Sequence, residues 1–159
     1  MNLTQRLNDL LIELPASSAP GAQYSAGIVH GDLVWISGQL PRDGDRVLVS
    51  GQVGRDVTVE QAQEGARIAL LRAFAAVRDT LGDLYRVRQI IKMNVYVHCC
   101  DTFTHQSAVA DGASVLIFQL FGADLGKHAR TSVGVAQLPR NASVELDLVV
   151  ALHPIDPPV

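Results

Sequence analysis

Ten residues, Ser143 to Leu152 (SVELDLVVAL), alternate without a break. Val144, Leu146, Leu148, Val150 and Leu152 fall on one side and Ser143, Glu145, Asp147, Val149 and Ala151 on the other, the period-two signature of a strand. The first side is wholly apolar and has to be covered. The second starts polar and ends apolar, so it is not a plain solvent face. Two carboxylates buried alone would be costly, so the structural expectation is that they line a sheet end or a subunit interface with water. That reading suits Asp147 better than Glu145.

The cover is found elsewhere in the chain. Thr58 opens a capping box with Gln61, and Ala62, Ala66, Leu70, Ala73, Val77 and Leu81 then step by threes and fours up to Gly82, which predicts a long helix. A second helix carries Val109, Ala113, Leu116, Leu120 and Phe121 and ends at Gly122. Asn2 with Gln5 is a capping-box start for a short amphipathic helix bearing Leu3, Leu7, Leu10, Leu11 and Leu14, stopped by Pro15. Strands are predicted over Tyr24 to His30 and Leu33 to Ser37, flanking a hairpin turn at Gly31-Asp32. Ile90 to Val97 reads as a buried strand with Ile91, Met93, Val95 and Val97 on one face. The last strands are Thr131 to Gln137 and Ser143 to Leu152. Ala16 to Gly21 reads as a linker, residues 41–57 as an excursion over the surface, and the tail PIDPPV as irregular. The order α-ββ-α-β-α-ββ predicts an α+β fold, a mixed sheet with two helices on one face.

At 159 residues with 48% hydrophobic composition, one domain with a full core needs no disulfide or metal staple. The two cysteines, Cys99 and Cys100, are neighbours that would point to opposite faces of a strand, which suits neither a bridge nor a chelate and fits a reducing cytosol. Thirteen Lys and Arg against sixteen Asp and Glu give a net charge of −3, which argues against nucleic acid as a partner. The N-terminal segment carries Asp9 and Glu13 among its leucines, unlike a signal peptide or membrane span. Five histidines lie scattered, with no metal-ligand spacing, and no glycine-rich nucleotide loop follows a strand. No cofactor or metal is expected. His128 lies two residues before Arg130 and could border a cleft, though a satisfied loop histidine is the favoured reading, and Gly38, Gly112 and Gly134 read as glycines serving backbone geometry or close packing.

Arg130 sits just before a predicted strand, and a guanidinium clamps a small carboxylate with two parallel charge-assisted bonds. From residue type alone an exposed loop arginine is the ordinary reading. If the last two strands form a hairpin through residues 138–142, Glu145 faces Ala136 and Arg130 lies on the order of 20 Å away. The two residues could then share a site only if they came from different chains.

Three co-ordered motifs carry a resemblance. Ala129 to Pro139 (ARTSVGVAQLP), followed by Val144-Glu145-Leu146-Asp147, resembles the C-terminal signature of the RidA/YjgF family of enamine/imine deaminases. Ser37-Gly38-Gln39-Leu40-Pro41 resembles its N-terminal signature, and Ile91 to Val97 its middle strand. The similarity spans roughly residues 22–152. It implies a single RidA-like domain over 1–159, with residues 2–14 an added N-terminal helix and 153–159 a tail, and a chorismate-mutase-like fold of the bacillus type. It further implies a cytoplasmic homotrimer with a cleft between each pair of subunits. There Arg130 would bind the substrate carboxylate, Glu145 would hold or activate water, Tyr24 would line the cleft, and the backbone at Ser132 would contact the ligand. The expected reaction is hydrolysis of 2-imino acids and their enamine tautomers to 2-keto acids and ammonia, without cofactor, metal or membrane. A rival is a binding protein that holds a keto acid in the same cleft without turnover. Family labels of ribonuclease fit the acidic composition worst, and chorismate mutase is a fold-level analogy.

The chain departs from the family pattern in places. Gly21-Ala22-Gln23 precedes Tyr24 where Gly-Pro is usual, Ser132 replaces a frequent cysteine, and residues 109–114 (VADGAS) lack an asparagine and a tyrosine common there. The arginine and glutamate are kept while the pocket wall is altered.

Overall fold

The computed structural model describes residues 2–16 and 23–154. The linker expected over 16–21 therefore lies, Ala16 apart, outside the described residues, as does the tail beyond Pro154. The elements are α1 (Leu3–Asp9), β1 (Gly27–His30), β2 (Leu33–Gln39), β3 (Arg42–Asp43), β4 (Arg46–Val47), α2 (Val59–Leu81), β5 (Val87–His98), α3 (Gln106–Leu125), β6 (Ala129–Val135) and β7 (Val144–Leu152), with a 3-10 turn at Pro139–Asn141. β1, β2, β7, β5 and β6 form one sheet in that order, antiparallel except for the parallel pair β5/β6. α2 packs on β7, β2 and β1, and α3 packs on β5 and β6, both on the same face. This is the expected α+β architecture, a mixed sheet with two long helices on one face and a short N-terminal helix.

The alternation of β7 decides which face is covered. Val144, Leu146, Leu148, Val150 and Leu152 are all buried under the helices, joined by Met93, Val95 and Val97 of β5 and by Leu70, Phe74, Leu116, Ile117 and Leu120 from above. Each fully buried side chain of this kind stabilises the fold by roughly 1.5–3 kcal/mol relative to exposure. α2 begins and ends where its sequence signals lie: the Thr58 side chain accepts from the Gln61 amide, Gln61 returns the bond, and Gly82 closes the helix in the left-handed region at φ 87°. α3 is apolar and long enough to cross a membrane by length and composition. Here Val109, Ala110, Ala113, Leu116, Ile117 and Leu120 are spent on the core.

Several expectations are corrected. α1 has its Asn2/Gln5 capping box but stops at Asp9, not Pro15, because the Ile12 amide donates to the Leu7 carbonyl and the Leu11 amide to the Asn8 carbonyl. These are the two bonds of a Schellman cap, with Leu11 holding the left-handed position at φ 54°. Leu3 and Leu7 are buried as expected, whereas Leu10 and Leu11 face solvent. β1 starts at Gly27, so Tyr24 precedes it in a bend. β5 is longer than predicted and bulged: Ile90 pairs with Val150 and Lys92 with Val149, which leaves Ile91 extra and turns it out to solvent while Ile90 takes the core position. Gly122 breaks α3 where the helix was expected to end (φ 76°, ψ −177°), after which one more turn runs to Leu125.

Residues 41–57 are also more than a surface excursion. The Val53 amide donates to the His98 carbonyl and its own carbonyl accepts from Cys100, so Val53 prolongs the sheet from within the core. The largest correction concerns β6. It spans Ala129–Val135 and puts Arg130 inside a strand, and it does not pair with β7. The unit β5-α3-β6 returns the chain parallel to β5. The connection 136–143 then crosses the end of β5, through a turn in which Arg140 and Asn141 adopt positive φ, and enters β7 on the far side. Ser143 is wholly buried and donates its hydroxyl to the Gly51 carbonyl, so it does not share the open face with Glu145.

Candidate functional site

Arg130 lies on the edge strand β6, opposite Met93, and therefore points to the helix side of the sheet. There α3 receives it. Arg130 Nη1 donates to Asp111 Oδ1 at 2.7 Å and to Ser114 Oγ at 3.0 Å. Asp111 and Ser114 are three residues apart on α3, hence on one face, and that face looks toward β6. Behind them His128 fixes the polarity of the chain. Its Nδ1 lies 2.7 Å from the Gly126 carbonyl, which can only accept, so Nδ1 carries the proton in the neutral ring. Nε2, 3.0 Å from Ser114 Oγ, then accepts the hydroxyl proton, and the hydroxyl oxygen stays available to Arg130. Arg130 is thus not a loose loop residue: its side chain is 23% exposed and anchored on α3 by Asp111 and Ser114. His128 has both ring nitrogens partnered and touches the arginine cluster through Ser114.

Glu145 lies on the other face of the sheet. It sits opposite Tyr96 on the open side of β7, and its carboxylate rests over Gly38 of β2, where a Cβ would overlap it. The glycine of the Ser37-Gly38 motif is therefore a close-approach glycine. Burial, and after it the charge of Asp147, raises the Glu145 carboxyl above its ordinary value. Asp147 is held by Asn94 Nδ2 at 2.8 Å and by the Tyr96 hydroxyl at 3.1 Å, so its carboxylate is partnered within the sheet. Burial, then Asp147, in turn raise the Tyr96 phenol. The same face carries Lys92, whose ammonium donates to Thr131 Oγ1 at 2.6 Å, and Trp35, with a shallow depression between Trp35, Asn94 and Asp147.

Within one chain Arg130 and Glu145 do not meet. Arg130 aligns with Leu148 across β5, and Glu145 aligns with Val133, so they are two strands apart and three residues out of step. At ordinary sheet spacings that is on the order of 14 Å between Cα atoms. Their side chains also leave opposite faces. β6 and β7 form no hairpin; β5 lies between them, and Arg130 and Glu145 are kept apart by the two faces of one sheet rather than by the roughly 20 Å of a hairpin.

The remaining expected residues fall near one or other pole. Ser132 is two residues along β6 from Arg130 on the same side, its hydroxyl 3.3 Å from that of Ser107 at the start of α3. Tyr24 is 58% exposed beside the β1/β2 end of the sheet, where Ser37 Oγ donates to the Ser25 carbonyl. Gly134 and Gly112 are close-packing glycines, the first against Cys99 and Gln106, the second against the backbone of Gln63. Among the described residues no three His, Cys, Asp or Glu side chains gather as a metal site. Asp111, Ser114 and Ser107 were not singled out from the sequence as site residues. Their signal was present, as polar side chains on an otherwise apolar helix.

Residues 4–152 match the family described as "YjgF/chorismate_mutase-like, putative endoribonuclease". The chain belongs to this family, the RidA/YjgF family. Protein TCP17 of Trypanosoma cruzi is 44% identical over 147 residues, covering 92% of each chain. A 2-iminobutanoate/2-iminopropanoate deaminase of Dermatophagoides farinae is 26% identical over 144 residues, covering 90% of this chain and 96% of that one. Among solved structures, the protein Atu1372 of Agrobacterium tumefaciens, of unknown function, is 40% identical with a TM-score of 0.84 and covers 95% of this chain and 94% of its own. TdcF of E. coli, solved with bound serine, is 25% identical with a TM-score of 0.59, covering 87% and 96%. The two TM-scores differ widely, and the structure with the higher score also spans more of this chain, 95% against 87%.

Proposed function

We propose that this RidA/YjgF protein hydrolyses 2-imino acids, in equilibrium with their enamine tautomers, to 2-keto acids and ammonia, in a cleft made by two copies of the chain. The observation that carries the reading is the placement of Arg130 and Glu145. An anchored arginine on an unpaired edge strand and a half-buried glutamate on the opposite face can act on one small molecule only when a second copy brings its open face against the first copy's edge. The exposed Trp35, Ile28 and Val133 on that open face favour such a contact. A closed trimer repeating one contact is the assembly proposed, as a single-domain cytoplasmic protein.

The chemistry asked of the site is modest. A protonated imine carbon is already electrophilic. Arg130 would hold the carboxylate, with Ser132 and Tyr24 bordering the ligand, and Glu145 of the next copy would take a proton from water as its oxygen adds to C2. The carbon–nitrogen bond then breaks, the carbonyl forms, and ammonia leaves with a proton. A carboxyl raised above its ordinary value is better matched to this proton traffic near neutral pH. Orientation and general-base contributions of roughly 10²–10⁴-fold suffice, and neither requires a metal or cofactor.

The test is decay of imino acids generated in solution by an amino-acid oxidase and trapped with semicarbazide. The protein should speed their loss, Arg130→Ala should lower kcat/KM about 30- to 1,000-fold, and Arg130→Lys, which keeps the charge but loses the fork, should rescue it in part. No acceleration across small, aliphatic and aromatic imines, with keto-acid binding retained, would favour the binding-protein reading.

A further inference from the structure

The site arginine is not electrically free. Asp111 lies 2.7 Å from its Nη1, so the pair sums to zero charge before any ligand arrives. Asp111 is 55% exposed, so its carboxylate is open to solvent and to an arriving ligand rather than sealed in the core. Both described contacts of Arg130 use Nη1. The Nε/Nη2 edge, the one that grips a carboxylate with two parallel bonds, remains directed away from them. Among the described contacts Asp111 Oδ2 has no partner.

We infer that Asp111 is a specificity-determining residue that makes the Arg130 pocket select small zwitterions, a carboxylate beside a protonated imine or ammonium, over plain keto acids. The inference rests on the reading of Arg130 as the carboxylate clamp. A carboxylate docked on the Nε/Nη2 edge lies roughly 6 Å from the Asp111 charge, and the like-charge repulsion weakens a simple keto acid by about 3- to 100-fold for effective dielectric constants between those of water and a protein surface. Because Asp111 is half-exposed, about tenfold is the expected size. A cationic nitrogen one bond from the carboxylate-bearing carbon removes the penalty and can donate to Asp111 Oδ2.

The consequence is directional. Hydrolysis converts R–C(=NH2+)–COO− and water into R–CO–COO− and ammonium: the oxygen of water becomes the carbonyl oxygen and the positive charge departs with nitrogen. The ligand left behind is the anion that Asp111 repels. The same carboxylate that admits the substrate thus favours release of the product.

Calorimetry with two inert probes separates the possibilities, L-serine as the zwitterion and pyruvate as the keto acid, on wild type, Asp111→Asn and Arg130→Ala. Asp111→Asn keeps an oxygen for Arg130 and removes only the charge; Asp111→Ala repeats the measurement should the amide misassemble. Wild type should prefer serine. Asp111→Asn should bind pyruvate about tenfold more tightly and serine more weakly, and Arg130→Ala should lose both. If the serine-to-pyruvate affinity ratio is the same in wild type and the Asp111 variants, Asp111 is a strand-to-helix tie and the inference is overturned, whatever the imine turnover. If wild type binds neither probe and hydrolyses no imine, the reading of Arg130 as a carboxylate clamp has failed, and this inference fails with it.

Discussion

Gly38→Ala should cost activity far more than stability. A Cβ at Gly38 would overlap the Glu145 carboxylate and crowd its Cδ and Cγ, and these three side-chain atoms are its nearest neighbours. The atoms in the way are the far end of a flexible side chain, so the sheet need not move. Glu145 instead turns to another rotamer or bends off one, at about 0.5–1.5 kcal/mol. For a chain of this size that is roughly 1–6 °C in Tm. The carboxylate, however, is displaced by at least an ångström, and misplacing a catalytic group by that much costs on the order of 100-fold. Keto-acid binding at Arg130, on the other face, should change little. Imine hydrolysis, thermal unfolding and calorimetry on the one variant read all three quantities. A Gly38→Ala protein with wild-type kcat would refute the claim that Glu145 acts from its seat over the glycine.

Glu145→Gln should stabilise the fold near neutral pH. The folded carboxyl is raised by burial and by Asp147, so the folded state holds its proton more tightly than the unfolded chain, and the stabilising contribution is complete at low pH and lost as pH rises through the folded value. Discounted for screening at a half-exposed group, the gain from the amide is about 0.5 kcal/mol, or roughly 1–2 °C, at pH 7 and absent near pH 3, by calorimetric melting. An equal gain at both pH values would contradict that origin. Leu11→Gly should also raise Tm, by roughly 1–3 °C, because Leu11 is 90% exposed and holds φ 54° at the end of α1; a loss of stability would show that the Leu11 side chain contributes more than its backbone strain costs.

Much of the fold was legible because local signals and global packing agreed. The capping boxes at Asn2 and Thr58, the stop at Gly82 and the alternation of β7 all appear where the sequence puts them. What failed was pairing. A connection as short as Leu138 to Ala142 resembles a hairpin, but two residues with positive φ let it cross the end of β5, and no local pattern distinguishes a crossing from a return. Ile91 was misplaced for a similar reason: a bulge shifts the phase of alternation by one, and only the partner strand reveals it. The poles of the proposed site, Arg130 and Glu145, come from motif resemblance. Their surroundings do not, since Asp111 and Ser114 reach Arg130 through a βαβ return that brings residues 16 to 19 apart into contact.

The central claim is that one working site takes its arginine and its glutamate from different copies. Mixing Arg130→Ala and Glu145→Gln proteins under conditions that exchange subunits tests it most directly. Each variant alone should be nearly inactive. In mixed oligomers some interfaces join an intact Arg130 from one parent to an intact Glu145 from the other, and random equal mixing restores about a quarter of the wild-type sites. Recovery approaching that fraction is the predicted result. A mixture that exchanges subunits yet stays as inactive as its parents would contradict the account.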